Sequence, residues 1–155
     1  MFITFMKSQI KLQDDVLGIR LPFPSEDIAW PLFAPAHDTG AYAMGLFEGG
    51  SDANGARAHA VSAWTTPKEV VTVLSKHVGR EVKFEPLSVE EYKSFSPDEV
   101  IGVELAETMR LVGEYSYFGK GEEKNQEEHN KWLLKGAETI GLEQWISENG
   151  PWKFE

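Results

Sequence analysis

The hydrophobic positions follow two periods along the chain and predict a mixture of strands and helices. Residues 1–6 are mostly apolar without a turn signal, which predicts a strand buried in a parallel sheet. Residues 56–63 follow the turn-forming pair Asn54-Gly55 and predict a second buried strand. Residues 81–85 alternate between charged and apolar side chains, as a half-exposed strand does. Between Asp15 and residue 30, glycine and prolines punctuate short apolar runs and indicate short strands or a loose hairpin.

Three capping boxes predict the starts of helices. Each pairs a Ser or Thr with a Glu three residues later, so that both side chains satisfy backbone N–H groups; the pairs are Thr66 with Glu69, Ser88 with Glu91 and Ser96 with Glu99. Gly79 is expected to end the first of these helices. After the third box, apolar residues recur at helical spacing and predict a long helix, the spine of a helical region; they are Ile101, Leu105, Met109 and Val112.

Shorter helices are predicted on both sides of this centre. Asp38 is expected to cap a helix over residues 39–47 that ends at Gly49. Residues 132–134 and 142–146 each predict one or two further helical turns. The pattern as a whole predicts an α/β fold, α+β-like, with a small mixed sheet and a helix-rich C-terminal half.

Length and composition narrow the class of protein. The 155 residues suit one domain over 1–155, and 41% hydrophobic residues are typical of a globular protein. The sequence has no apolar run of about 18 residues and no signal-peptide pattern, so a cytoplasmic location is expected. The absence of cysteine excludes disulfides and thiolate catalysis. The net charge of −10, with scattered Lys and Arg, disfavours direct nucleic-acid binding.

Two groups of residues are candidates for chemistry. His37 beside Asp38 suits general acid-base catalysis, although Asp38 is equally explained as a helix cap. Tyr115 and Tyr117 suit the wall of an apolar pocket, because aromatic rings with a polar tip are common there. Lys120 lies at the wrong spacing from either tyrosine to form a Tyr-x-x-x-Lys dyad.

The remaining histidines and glycines predict no ligand site. His59 is interpreted as a structural histidine in an apolar strand and His129 as a solvated one, so no metal is expected. His77, near the end of its predicted helix, complements the helix dipole. The glycine-rich residues 49–55 precede a predicted strand, whereas a phosphate loop precedes a helix.

Ordered landmarks along the chain resemble the second half of the NmrA-like proteins, which are atypical relatives of the short-chain dehydrogenases. These landmarks are Phe5-Met6, His37-Asp38-Thr39-Gly40, Asn54-Gly55, residues 64–69 and residues 115–119. The glycine-rich turn that holds a pyrophosphate, Gly-x-x-Gly-x-x-Gly, is absent from the sequence. The resemblance therefore implies a truncated, Rossmann-derived domain without a dinucleotide cofactor.

The resemblance also implies a function and its residues. The substrate-side wall corresponds to Phe5, Met6, His37, Tyr115 and Tyr117. We expect a small, largely apolar organic ligand bound without NAD(P), and a homodimer that covers the surface of the missing half. Two alternatives stay open: a cofactor-independent isomerase, cyclase or dehydratase of fungal secondary metabolism, with acid-base groups from His37, Asp38, Tyr115 or Tyr117, and a non-catalytic regulatory or interaction subunit.

Overall fold

The computed structural model describes residues 3–13, 15–96, 98–150 and 152. Two short 3₁₀ turns, Gly50–Ala53 and Glu122–Asn125, supplement the helices and strands. The helices are α1 (Ile3–Ser8), α2 (Pro35–Gly49), α3 (Pro67–Val78), α4 (Val89–Lys93), α5 (Glu99–Tyr115), α6 (Gln126–Asn130) and α7 (Leu142–Glu148). The strands are β1 (Ile10–Gln13), β2 (Val16–Leu21), β3 (Trp30–Leu32), β4 (Ala63–Thr65) and β5 (Val82–Pro86).

The strands form two small sheets. In the first, β1 and β2 make an antiparallel hairpin, and β5 pairs parallel to β2, so that the order is β1-β2-β5. In the second, β3 pairs antiparallel to β4. Parallel and antiparallel neighbours share the first sheet, which confirms the expectation of a small mixed sheet within an α/β fold.

The core lies between the first sheet and the helices around it. The centre of the core is β2, with Leu17, Ile19 and Leu21 essentially inaccessible to solvent. Leu74 from α3 and Met109 from α5 belong to the same cluster. These helices therefore share one apolar interior with the sheet, and burial of that interior fixes their positions on it.

The capping predictions are confirmed at two helices and corrected at the third. In α3, Thr66 Oγ1 accepts the N–H of Glu69 at 3.2 Å, and the Glu69 carboxylate accepts the N–H of Thr66 at 2.9 Å. The box of Ser88 and Glu91 forms in the same way. The third prediction is wrong, because Asp98 caps α5 by accepting the N–H of Ile101 at 3.0 Å.

The predicted first strand is wrong over residues 3–6, which begin α1; Met1 and Phe2 lie outside the described residues. Ile3 and Met6 stand three positions apart and are both completely buried, as neighbours on one helix face are. The N–H of Ile3, at the start of the helix, donates to the carbonyl of Phe33 at 2.7 Å. A strand would point these two side chains to opposite faces, so their joint burial on one side suits the helix.

Three other boundaries differ from the sequence prediction. Helix α2 begins at Pro35, so Asp38 lies inside its first turn instead of capping it. Residues 56–61 form no strand, and β4 covers only Ala63–Thr65. Residues 132–134 form no helix because they dock on α2, where the N–H of Leu134 donates to the carbonyl of Ala41 at 2.9 Å.

None of the helices in the described part of the chain has the length and apolar character needed to cross a membrane.

Candidate functional site

A mainly apolar cleft of about 490 Å³ opens between α1 and α5. Its volume lies within the range of small-molecule sites, roughly 300–1,000 Å³. Thr108 and Tyr117 contribute the hydroxyl groups of the wall. The lining residues are Phe5, Phe33, Ala60, Leu105, Thr108, Met109, Tyr117 and Phe118.

The end of α5 positions the aromatic wall of this cleft. Ser116 stands just after the helix at φ 63°, a conformation that costs a residue other than glycine free energy. The chain therefore leaves the helix axis at Ser116. Tyr117 then packs edge-on against Phe118, with ring centroids 4.9 Å apart, and Phe118 meets Trp64 at 6.2 Å.

A smaller, more polar cleft of about 240 Å³ adjoins the apolar one, and Phe5 and Leu105 line both. Arg20 and Lys11 bring cationic groups to its wall. The hydroxyl of Tyr92 donates to Gln9 at 2.6 Å, and burial raises the pKa of Tyr92 well above its usual range. The two clefts offer an apolar compartment and a polar one on either side of Phe5.

His37 and Asp38 do face each other, although they are consecutive residues. Nδ1 of His37 lies 2.6 Å from a carboxylate oxygen of Asp38, whose side chain is only 1% exposed. The same carboxylate accepts the hydroxyl of Ser62 and, at 3.2 Å, the N–H of Ile140. Asp38 therefore joins α2 to two distant segments, and Ser62 has its hydroxyl engaged here and with the N–H of Ala34.

The residues predicted for the site occupy different places. Phe5 and Tyr117 line the apolar cleft together. Met6 is completely buried in the core, and Tyr115 is 60% exposed at the last turn of α5. His37 lines a separate cleft of about 380 Å³ beside α7. The four candidate acid-base residues are thus divided between separate surfaces of the molecule.

A histidine cluster that the sequence analysis did not predict lies next to the apolar cleft. The ring of His59 is stacked between Phe118, at 4.1 Å, and His129, at 3.9 Å. A carboxylate oxygen of Glu122 lies 4.0 Å from Nε2 of His129. Burial lowers the pKa of His59, nearby His129 lowers it further, and Glu122 opposes both effects.

The sequence carries only a weak signal of this cluster. Glu122 and His129 are seven residues apart, which is two helical turns and so one face of the continuous segment 122–130. His59 is 63 positions before Glu122 and lies in irregular chain. Gln126 brings that chain in, because its amide donates to the carbonyl of His59 at 3.0 Å.

Comparison with known proteins identifies one matching family and several solved structures with a similar fold. A family model described as the NmrA-like family matches residues 1–146. The crystal structure of NmrA, a negative transcriptional regulator, in its monoclinic form is 18% identical with a TM-score of 0.63 over 96% of this chain and 48% of that chain. The trigonal form in complex with NAD is 19% identical with a TM-score of 0.58, over 78% and 40%.

A third similar structure is that of a mutant NmrA with two glycine substitutions, which is 19% identical with a TM-score of 0.59 over 84% of this chain and 44% of that one. The chain spans about half the length of these structures or less. No curated protein sequence matches it significantly. At this identity the structural likeness establishes the fold.

Proposed function

Because the chain belongs to the NmrA-like family, we propose that it binds a small, largely apolar organic molecule in the cleft between α1 and α5, without NAD(P). The observation that carries this proposal is the composition of the wall, where aromatic and aliphatic side chains surround two hydroxyl groups. Such a wall removes apolar ligand surface from water, which contributes a binding free energy of roughly 25 cal/mol per Å² buried. The few polar groups of the wall can orient the ligand.

A dinucleotide does not fit the strand-to-helix junction at Thr66. A pyrophosphate is held by free N–H groups at a helix N-terminus after a glycine-rich turn. At the junction of β4 and α3 these groups already have partners: the N–H of Glu69 donates to Thr66 Oγ1 and the N–H of Lys68 donates to the carbonyl of Glu26, while Pro67 has no N–H. This junction therefore offers no free N–H groups to a pyrophosphate.

We expect Thr108→Trp to weaken ligand binding at least tenfold, about 1.4 kcal/mol, because the indole fills the cleft from α5. The measurement is titration with N-phenyl-1-naphthylamine, an uncharged dye whose fluorescence rises in apolar surroundings. Thr72→Trp is the matched control, since Thr72 is an exposed helical threonine on α3. Absence of saturable binding to the wild type, or equal loss in both variants, would refute the proposal.

The natural ligand can be identified by native mass spectrometry of protein purified from its own host. A retained apolar molecule of defined mass, absent from Thr108→Trp, supports the cleft as its site. A retained dinucleotide contradicts the cofactor-free proposal. A cytoplasmic location is part of the same proposal and is tested by fractionation of that host.

The cleft favours binding over cofactor-independent isomerisation, cyclisation or dehydration. General acid-base catalysis requires a titratable group within hydrogen-bond reach of the substrate. Tyr117 is the titratable side chain among the residues that line the cleft, whereas His37 and Asp38 lie elsewhere. An enzymatic role would therefore rest on the Tyr117 phenol.

A second candidate function is interaction through the outer face of α5, and exposed apolar side chains there favour it. Val100 is 76% exposed, Leu111 47% and Tyr115 60%. We propose that a second copy of the chain covers this face. Antiparallel packing of two α5 helices, centred between Glu107 and Thr108, would set Val100 against Tyr115 of the other copy. Two-fold symmetry would then make this contact at both ends of the interface.

We expect Leu111→Lys to convert the dimer into a monomer, because the interface would then bury two ammonium groups. Sedimentation equilibrium measures the change in mass. Phe47→Lys is the control, since Phe47 is a 78% exposed apolar residue on α2, away from α5. A wild-type monomer at all accessible concentrations would exclude the self-association.

A further inference from the structure

We propose that His59, Glu122 and His129 form a binding site for a divalent transition metal ion, zinc above all. One ring nitrogen of each histidine and one carboxylate oxygen of Glu122 all lie within 4.8 Å of one another. Two imidazoles and one carboxylate are the ligand set that suits zinc, copper or nickel, whereas calcium and magnesium prefer oxygen ligands alone. Three protein ligands leave a fourth position open to water or a substrate.

An unsatisfied nitrogen supports the site independently of this proximity. Nδ1 of His59 is buried and has no hydrogen-bond partner among the described residues. A buried polar atom without a partner costs about 1–3 kcal/mol, and native proteins seldom keep one without a function or a ligand. A bond from Nδ1 to a metal ion would remove that cost.

The architecture around the cluster holds one ligand firmly and leaves the other two adjustable. His59 is held by stacking on Phe118 and by the hydrogen bond from Gln126 to its carbonyl. The side chains of His129 and Glu122 are 17% and 31% exposed. Ligands of a tetrahedral zinc stand about 3.4 Å apart at bond lengths of about 2.1 Å. Rotation of these two partly exposed side chains brings the set to that spacing.

The site would stand at the edge of the apolar cleft. Phe118, which stacks on His59, and Ala60, the next residue in the chain, both line that cleft. An ion beside a mainly apolar cavity is placed to bind a polar end of an organic molecule held there. The metal site itself does not depend on that ligand, so its test stands apart from the test of dye binding.

The experiment is titration of the full chain, without a histidine tag and after treatment with EDTA, with Zn²⁺ alone against a chromophoric chelator. We expect one ion per chain with a dissociation constant of micromolar or tighter. His129→Gln and Glu122→Gln should each weaken binding at least tenfold, because both keep the size of the side chain while removing a ligand. The double variant His59→Phe with His129→Gln, which keeps the ring stacked on Phe118, should bind no zinc.

His77→Gln is the matched control, since His77 is an exposed histidine in the last turn of α3, and it should change the affinity less than twofold. Histidine ring NMR adds a readout that does not require a variant: zinc should shift the nitrogen signals of His59 and His129 and leave those of His37 and His77. No saturable binding, binding that survives the double variant, or equal losses in His77→Gln and His129→Gln would overturn the proposal.

Discussion

Replacing Asp38 with alanine is expected to lower the free energy of unfolding by about 3 kcal/mol. The carboxylate is fully buried and accepts hydrogen bonds from three groups, which are Nδ1 of His37, the hydroxyl of Ser62 and the N–H of Ile140. Alanine leaves the last two donors buried without a partner, and each such donor costs about 1–3 kcal/mol. Urea denaturation followed by circular dichroism measures the loss.

Two further variants separate the structural role of Asp38 from a catalytic one. His37→Ala should cost less than about 1 kcal/mol, because the imidazole is 46% exposed and water replaces its hydrogen bond. The loss of stability in Asp38→Asn should lie between those of Asp38→Ala and His37→Ala. The amide oxygen still accepts a hydrogen bond, whereas the new N–H₂ group faces other donors. If Asp38→Ala is as stable as the wild type, the carboxylate does not hold α2 to residues 62 and 140. An acid-base role of Asp38 with His37 would then be the better explanation of its position.

Replacing Gly45 with alanine is expected to cost about 3 kcal/mol or more. A Cβ atom at this position would lie 2.0 Å from the carbonyl oxygen of Trp132 and 2.6 Å from the backbone nitrogen of Leu134. These are backbone atoms, so no side-chain rotation relieves the overlap. The segment 132–134 must move away from α2 and lose the hydrogen bond between Leu134 and Ala41.

Gly40→Ala is the matched control on the same helix. A Cβ atom there meets no atom within 4 Å, and alanine in an exposed helix interior is favoured over glycine by about 1 kcal/mol. We therefore expect Gly40→Ala to raise the urea midpoint and Gly45→Ala to lower it. Equal midpoints for the two variants would mean that residues 132–134 do not pack on α2.

Local signals in the sequence were sufficient wherever the determining contacts lie within a few residues. The box of Thr66 and Glu69 and the glycine at 79 set both ends of α3, because the groups that need partners are one turn away. The period of two over residues 81–85 predicted β5 in the same way. The family resemblance also came from the sequence alone, and the family model over residues 1–146 confirms it.

Predictions failed where burial arises from distant parts of the chain. Ile3 and Met6 were expected in a strand because apolar residues suit either element, whereas the structure buries both on one side of α1. Tyr115 and Tyr117 were both candidates for the pocket wall, and in the structure Tyr117 and Phe118 line the cleft after the turn at Ser116, while Tyr115 is exposed. A non-glycine residue at positive φ is enforced by its surroundings and has no clear sequence signal.

The sequence by itself determined the family, the mixed α/β class, both ends of α3 and the start of α4, because these depend on patterns and on side chains close along the chain. Only the tertiary structure decided which residues share a site. It buried Asp38 as a link between three segments, placed Phe5 with Tyr117, and joined His59 to Glu122 and His129. Residues far apart in the sequence come together through the packing of the whole core, so their proximity cannot be deduced from local periodicity.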